Sequence, residues 1–271
     1  MPPNSSKLML LTGATDGIGL ESAIQLAQKG FEIIIHGRSQ SSVENTHKTI
    51  LNKVPTAHLH SAIADFTDLK QVKTMAESIL KNYSHLDVLL NNAGVYMKSK
   101  KLTAQNLEYS YGINHQAHFD LTLQLLPLLK KAPQGRIVNV SSMVHMNAEI
   151  DFDNLQAEKH FDGYGAYATS KLCNVLFTLD LAHRLKDTFI TVNCLHPGVI
   201  STKLLHAGFG MGGDSVSNGA KTSVFLASDL SVEKISGKYF VNCAPKASSP
   251  LSHDKNLQKQ LWEYSEKISL K

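Results

Sequence analysis

A doubly wound α/β fold is predicted by three features of the chain. Apolar strand-like runs alternate with helix-period segments, a glycine cluster separates the first run from the first helix, and no repeat or linker divides the 271 residues. A β-α-β-α alternation implies a parallel sheet with helices on both faces. Leu8–Leu11 reads as the first buried strand, followed by a helix to Lys29 that Gly30 ends as its C′ residue. Phe31–His36 is the second strand, a nearly continuous apolar run as a strand buried on both faces requires. Ser39–Lys53 is the next helix. Further strands are expected at 57–63, 86–90, 136–140, 189–194 and 238–241, and helices near 68–82, 102–130, 164–186 and 215–228. An amphipathic segment at 256–268 closes the chain. The least regular stretches are 143–163, 200–214 and 244–255. The first two follow strands five and six at their carboxyl ends, where such sheets bind ligands. Gly208, Gly210, Gly212 and Gly213 make the second of them a candidate mobile lid.

Composition narrows the function classes. With 42% hydrophobic and 18% charged residues, the chain can bury a core and is not a disordered segment. Lys and Arg number 27 against 23 Asp and Glu, and this net +4 is spread along the chain, unlike the clustered basic signal of a nucleic-acid binder. Cys173, Cys194 and Cys243 form neither a disulfide framework nor a CxxC site, which fits a reducing compartment. The apolar run at Leu8–Leu11 is too short for a signal sequence, and no later window is long and apolar enough to span a membrane. A cytoplasmic protein with no membrane anchor is the expectation. Ser269-Leu270-Lys271 is not a peroxisomal signal, and the sequons at Asn4, Asn82 and Asn139 carry no weight without a secretory signal.

Thr12-Gly13-Ala14-Thr15-Asp16-Gly17-Ile18-Gly19 lies directly after the first strand and opens the first helix. Glycines there let the backbone turn and approach a pyrophosphate, while the helix N-terminus supplies oriented N–H donors. The spacing is Gly-x-x-x-Gly-x-Gly, and no Lys follows the last glycine, so this is not a nucleoside triphosphate P-loop. At the end of the second strand, NAD sites place an acidic residue for the adenosine ribose hydroxyls. Here the run is Ile35-His36-Gly37-Arg38-Ser39. Gly37 replaces the carboxylate, Arg38 can clamp a 2′-phosphate, and Ser39 can add a hydroxyl. NADP(H) is therefore the preferred cofactor, with NAD(H) the alternative. Asp16 stands where a second basic residue would strengthen that reading.

Tyr167 and Lys171 are four residues apart, on one helix face. A Lys⁺ beside a phenol favours the phenolate and equips the Tyr for proton transfer. Tyr164 has no Lys four residues on. The fifth strand ends in Ser141-Ser142, whose hydroxyls face the crevice and could orient a substrate oxygen. Asn91-Asn92-Ala93-Gly94 closes the fourth strand with residues suited to close backbone contact, and Asn114 lies in the following helix, where an unforced Asn is a poor choice.

With these motifs in order, the chain resembles the short-chain dehydrogenase/reductase family over nearly its whole length. The matches are Thr12, Gly13, Gly17 and Gly19, then Asp65, Asn91-Asn92-Ala93-Gly94, Asn114, Ser142, Tyr167-xxx-Lys171 and Pro197-Gly198. It is similar to the retinol dehydrogenase-like branch in Arg136–Ser142, Ser170–Phe177, His196–Val199 and Leu261–Glu266, and in the 25-residue interval from Ser142 to Tyr167. The resemblance implies a single Rossmann domain over residues 1–271, with a seven-stranded parallel sheet in the order 3-2-1-4-5-6-7. It implies hydride transfer between a nicotinamide and a carbonyl carbon, Tyr167 as the proton donor, Lys171 on the nicotinamide ribose and Ser142 on the carbonyl. Asn114 would support Lys171 through a water. The cofactor would lie against Gly13, Thr15, Asp16, Gly17, Ile18 and Gly19 at the pyrophosphate. Arg38, Ser39, Asp65 and Phe66 would meet it at the adenosine, Asn92, Ala93 and Gly94 on the adenosine ribose and pyrophosphate side, and Pro197, Gly198, Val199 and Thr202 at the nicotinamide. A homodimer or homotetramer through the helices at 102–130 and 164–186 would follow.

Other readings carry less. His115 with His118, and His58 with His60, lack a third ligand in sequence, so no metal is expected. A non-catalytic cofactor sensor predicts a degraded Ser/Tyr/Lys set, and this set is complete. A sugar-nucleotide epimerase predicts another glycine spacing and a further C-terminal domain. Met143, Met146, Phe152, Phe161, Leu204, Leu205, Phe209 and Met211 offer an apolar wall, favouring a small apolar aldehyde, ketone or alcohol.

Overall fold

The computed structural model describes residues 6–210 and 212–269. One sheet runs in the order β3-β2-β1-β4-β5-β6-β7-β8. Its strands are β1 (Leu8–Leu11), β2 (Glu32–Gly37), β3 (His58–Ile63), β4 (Val88–Asn91), β5 (Gly135–Val140), β6 (Ile190–His196), β7 (Lys238–Val241) and β8 (Ala244–Lys246). The pairings from β3 through β7 are all parallel, in the expected order.

Two apolar layers hold the sheet between helices, because alternate residues of each buried strand face opposite sides. Leu10, Ile34, Leu89, Ile137 and Val192 pack with Val72, Ile79, Leu121 and Leu125 of α3 (Leu69–Asn82) and α5 (Ala117–Leu129). Met9, Leu11, Ile33, Ile35, Leu90 and Val138 pack with Ile24, Ile50 and Val224 of α1 (Gly17–Gln28), α2 (Gln40–Lys53) and α8 (Val216–Ser228). The order reverses between β1 and β4, and a crevice opens at the carboxyl ends of these two strands.

Three differences from the sequence reading have physical causes. First, β8 adds an antiparallel eighth strand within the stretch expected to be irregular. The turn into it puts Asn242 and Cys243 at φ of 51° and 60°, a left-handed pair of the kind that joins tight hairpins, without the glycine that usually signals it. Second, the helix expected from Leu102 starts as the short α4 (Tyr109–Tyr111), after a turn in which Leu102 bridges Glu108 and Asn106 takes φ 60°. The Glu108 carboxylate accepts the Tyr111 N–H at 2.8 Å and caps the start. A π-turn over Gly112–Gln116 then leads into α5. Third, 200–214 contains α7 (Lys203–Phe209). Gly208 there lets the helix sit on a ring, since a Cβ would stand 2.8 Å from Tyr96 Cδ1.

The C-terminal helix bears on the surface expected to meet a second copy. The C-terminal helix α9 (Lys255–Ser269) lies across α5 and α6 (Gly163–Arg184). Trp262 packs on Phe119 and Phe177 at centroid distances of 5.1 and 6.0 Å, and Gln116 Nε2 donates to Ser265 O at 3.1 Å. Helix α9 thus packs on part of the surface assigned to self-association.

Candidate active site

The turn from β1 into α1 is built on backbone-to-backbone contact. Gly13 and Gly17 take φ of 63° and 54°, conformations that suit glycine. A Cβ on Gly13 would lie 2.7 Å from Ala93 Cα, and one on Gly19 2.1 Å from Gly13 O. Thr12 Oγ1 accepts N–H bonds from Asn92 (2.8 Å) and Ala93 (3.0 Å), and Asn92 Nδ2 donates to Thr12 O at 2.8 Å. His36 fixes the loop from the β2 side. Its Nδ1 accepts the Gly13 N–H at 3.1 Å, so Nε2–H donates to Ala64 O at 3.0 Å. Burial lowers this imidazole to about 4, keeping it in the neutral form that the bond from Gly13 requires.

Beyond β2, Arg38 is exposed and its guanidinium has no ion-pair partner among the described residues. Gly37 before it is buried, and a Cβ there would stand 2.6 Å from Thr15 Cγ2 and 2.8 Å from Val43 Cγ2. Ser39 is not in the crevice. It is the N-cap of α2, where its hydroxyl accepts the Ser42 N–H at 3.3 Å. Asp16 caps α1, accepting the Gly17 N–H at 2.9 Å. Its other oxygen lies 2.7 Å from Lys203 Nζ of α7.

The catalytic candidates come from three elements. Helix α6 is capped by Asp162, which accepts the Gly165 N–H at 2.7 Å. Tyr167 and Lys171 point the same way one turn apart, with Lys171 Nζ 5.6 Å from the phenol ring centroid. Lys171 Nζ donates to Val140 O at 3.1 Å, at the end of β5. Ser142, two residues further on, hydrogen-bonds the Tyr167 side chain. Asn114 sits in the π-turn, the kind of helix irregularity often found at functional sites. Its Oδ1 accepts Val95 N–H at 2.7 Å, and its Nδ2 donates to Val95 O at 3.0 Å and to Ser170 Oγ at 2.9 Å. A Cβ on Gly94 would lie 3.4 Å from both Asn114 Oδ1 and Lys171 Nζ.

The electrostatics correct one expectation. Burial pushes the Tyr167 phenol up to about 12, with the Ser142 hydrogen bond acting in the opposite direction, and it pushes Lys171 down to about 8. Desolvation of the phenolate, and not the lysine charge, dominates this tyrosine. A phenol that retains its proton is set up to donate it.

Ser142, Tyr167, Lys171 and every expected cofactor contact except Ser39 line one cavity of about 710 Å3. Asn114 lies outside it, behind Gly94. The cavity lining joins the glycine loop and Arg38 to the Ser142, Tyr167 and Lys171 set, as a dinucleotide site requires. Its glycine floor is space that side chains would fill, and Arg38 adds to the lining a cation with no ion-pair partner among the described residues. Of the expected apolar wall, Met143, Leu204 and Leu205 line the cavity, joined by Tyr96, Met97 and Val144. Met146 and Phe161 do not, and Phe152 packs instead on Tyr264 at 5.5 Å. The Phe209 side chain and Met211 lie outside the described residues. Among the described residues, no three His, Cys, Asp or Glu side chains form a metal-ligand group. No helix there is long and apolar enough to cross a membrane.

Residues 7–209 match the family described as short chain dehydrogenase. The chain belongs to the short-chain dehydrogenase family. It is an oxidoreductase of the retinol dehydrogenase-like kind. Retinol dehydrogenase 13 of Mus musculus is 35% identical, over 97% of this chain and 83% of its own length. Retinol dehydrogenase 11 of Homo sapiens is 36% identical, over 96% of this chain and 84% of its own. Among solved structures, a short chain dehydrogenase from Shigella flexneri complexed with NADP aligns with a TM-score of 0.72 at 26% identity. That alignment covers 88% of this chain and 97% of the other. A protein from Mycobacterium paratuberculosis aligns with a TM-score of 0.82 at 28% identity, over 98% and 94% of the two chains.

Sequence reasoning did not single out His36 or Lys203. A lone histidine at a strand end has no distinguishing pattern, and Lys203 is separated from Asp16 by most of the chain. Gly13 facing His36 would have been the only signal for the first.

Proposed function

We propose that this protein is an NADP(H)-dependent reductase of small apolar carbonyl compounds, able to oxidise the corresponding alcohols, with Tyr167 as the proton donor. One observation carries the reading: Ser142, Tyr167 and Lys171 line the same cavity as the glycine loop and the exposed Arg38, which has no ion-pair partner among the described residues.

The reduced nicotinamide supplies the hydride when bound, and the rest of the chemistry falls to the chain. Ser142 donates to the carbonyl oxygen and holds it beside the Tyr167 hydroxyl. Tyr167 gives its proton to the oxygen as negative charge develops there, which its elevated pKa makes possible at neutral pH. Lys171, anchored on Val140 O, has donors left for the nicotinamide ribose, and its positive charge offsets the phenolate that remains. Asn114 holds Gly94 and Val95 against this lysine. Gly13, Thr15, Gly17, Ile18 and Gly19 would cradle the pyrophosphate. Asp65 and Phe66 would border the adenine, and Pro197, Gly198, Val199 and Thr202 would border the nicotinamide.

Tyr96, Met97, Met143, Val144, Leu204 and Leu205 favour an apolar substrate, in keeping with the retinol named for the relatives. The test is NADPH oxidation against a panel of apolar aldehydes and ketones, with Tyr167→Phe beside the wild type. Turnover should fall by at least about a hundredfold in the variant while NADPH affinity is kept. Undiminished turnover would move the chemistry to another residue.

A further inference from the structure

His118 lies on α5 beneath the phosphate loop, completely surrounded by protein. Its two ring nitrogens face different parts of the site. Nδ1 is 3.0 Å from the backbone carbonyl oxygen of Asn114, and Nε2 is 2.9 Å from Thr12 Oγ1.

Proton counting settles which nitrogen carries the hydrogen. A carbonyl only accepts, so Nδ1–H donates to Asn114 O. Thr12 Oγ1 already accepts two N–H bonds, from Asn92 and Ala93, which fill its lone pairs. Its own hydrogen must go outward, and Nε2 is the nearer acceptor, with Leu90 O at 3.4 Å. Both ends therefore demand the same neutral tautomer, and a second ring proton would find no acceptor at Thr12. Phe66 presses edge-on at 5.3 Å and stacks at 4.3 Å on His36, the residue that holds Gly13.

We propose that His118 is a positioning residue that sets the cofactor loop and the Asn114 turn against each other, one ring nitrogen for each. The Thr12 bond fixes the hydroxyl that carries the Asn92 and Ala93 backbone, the floor of the dinucleotide cradle. The Asn114 bond fixes the π-turn whose side chain braces Val95 and stands beside Gly94 and Lys171. This rests on the reductase reading of the site. It adds that cofactor affinity and turnover depend on separate halves of one buried imidazole.

The two halves are separable by substitution. An Asn amide reaches the Nδ1 position and keeps the donor to Asn114, whereas a Gln amide reaches the Nε2 position and keeps the acceptor for Thr12. His118→Asn should raise the NADPH dissociation constant by about tenfold in fluorescence titration, with kcat for 4-nitrobenzaldehyde close to wild type. His118→Gln should show the reverse: NADPH affinity kept, and kcat lowered by about tenfold at saturating NADPH. His118→Leu should lose both. Thermal melts identify any variant that has not folded. Nitrogen NMR of the folded wild type gives an independent reading, with the Nδ1–H tautomer expected and no protonation between pH 5 and 8. Equal losses in the Asn and Gln variants, or an Nε2–H tautomer, would overturn the proposal. If the wild type does not turn over 4-nitrobenzaldehyde, that result counts against the reductase reading, and the NADPH titrations and the tautomer still decide the role of His118.

Discussion

Lys203 of α7 reaches across the mouth of the cavity and places its Nζ 2.7 Å from Asp16 Oδ2 in the glycine loop. Both side chains are largely exposed, at 88% and 55%, so the pair adds little to stability. Its importance is positional. Asp16 puts a negative charge beside the place where a pyrophosphate would lie, and Lys203 offsets it from a segment that is not part of the loop. Lys203→Ala should leave the melting temperature nearly unchanged and weaken NADPH binding by a few-fold, with Lys203→Glu weaker still. Titrations at low and high salt check this, because an effect of charge fades as screening grows. Equal NADPH affinity in all three proteins at low salt would show that the pair has no bearing on the cofactor.

The proposed preference for NADP(H) rests on Arg38 and on the glycine before it. Arg38→Ala should weaken NADPH by about tenfold or more and NADH hardly at all, because only NADPH carries the 2′-phosphate that a guanidinium clamps. Equal losses for the two would end the assignment. Restoring the acidic residue of NAD sites at position 37 is a different matter. A Cβ there overlaps Thr15 and Val43, so Gly37→Asp should cost about 1–3 kcal/mol in urea unfolding and fail to create a good NADH site. A stable Gly37→Asp protein that binds NADH tightly would contradict the packing argument.

Much of this site was legible in the sequence, for identifiable reasons. Tyr167 and Lys171 are one helical turn apart, so their joint orientation follows from spacing alone. The glycines of the first loop sit between a strand and a helix, and the structure brings Gly13 and Gly19 so close to Ala93 and Gly13 O that side chains would not fit. What was not legible depends on long-range contact. His36 and His118 looked like unremarkable histidines until Gly13, Thr12 and Asn114 were brought to their ring nitrogens. Ser39 reads as a phosphate contact because of its place beside Arg38, and its use as the N-cap of α2 depends on a local turn that the sequence alone does not distinguish.

Lys171 and Tyr167 set the expected pH profile. Lys171, held down to about 8, is charged below that pH and neutral above it, whereas Tyr167, near 12, keeps its proton throughout the working range. Carbonyl reduction should therefore hold a plateau at neutral pH and fall about tenfold per unit above pH 8, as the lysine charge is lost. Measuring kcat from pH 6 to 10 at saturating NADPH checks the limb. Lys171→Arg keeps a positive charge over that range, so any turnover it retains should show no fall near pH 8. A wild-type profile flat to pH 10 would mean that the lysine charge plays no part in the limiting step.

Helix α9 packs on the helices expected to meet a second copy. Trp262 is the only tryptophan in the chain, and it sits between Phe119, Phe177 and the Arg184 guanidinium, whose carbon is 3.7 Å from the ring centroid. Around it, Ser265 bonds Tyr111 and His115 at 3.2 and 3.0 Å, so the seal over α5 and α6 is polar as well as apolar. With that face closed from within, light scattering should give the mass of one chain. Trp262→Ala should cost about 3–5 kcal/mol and uncover Phe119 and Phe177, giving association that grows with concentration. The wild-type tryptophan emission should stay blue-shifted on dilution, since its burial does not depend on a partner. A wild-type dimer whose emission shifts red as it dissociates would show instead that α9 is seated by the second copy.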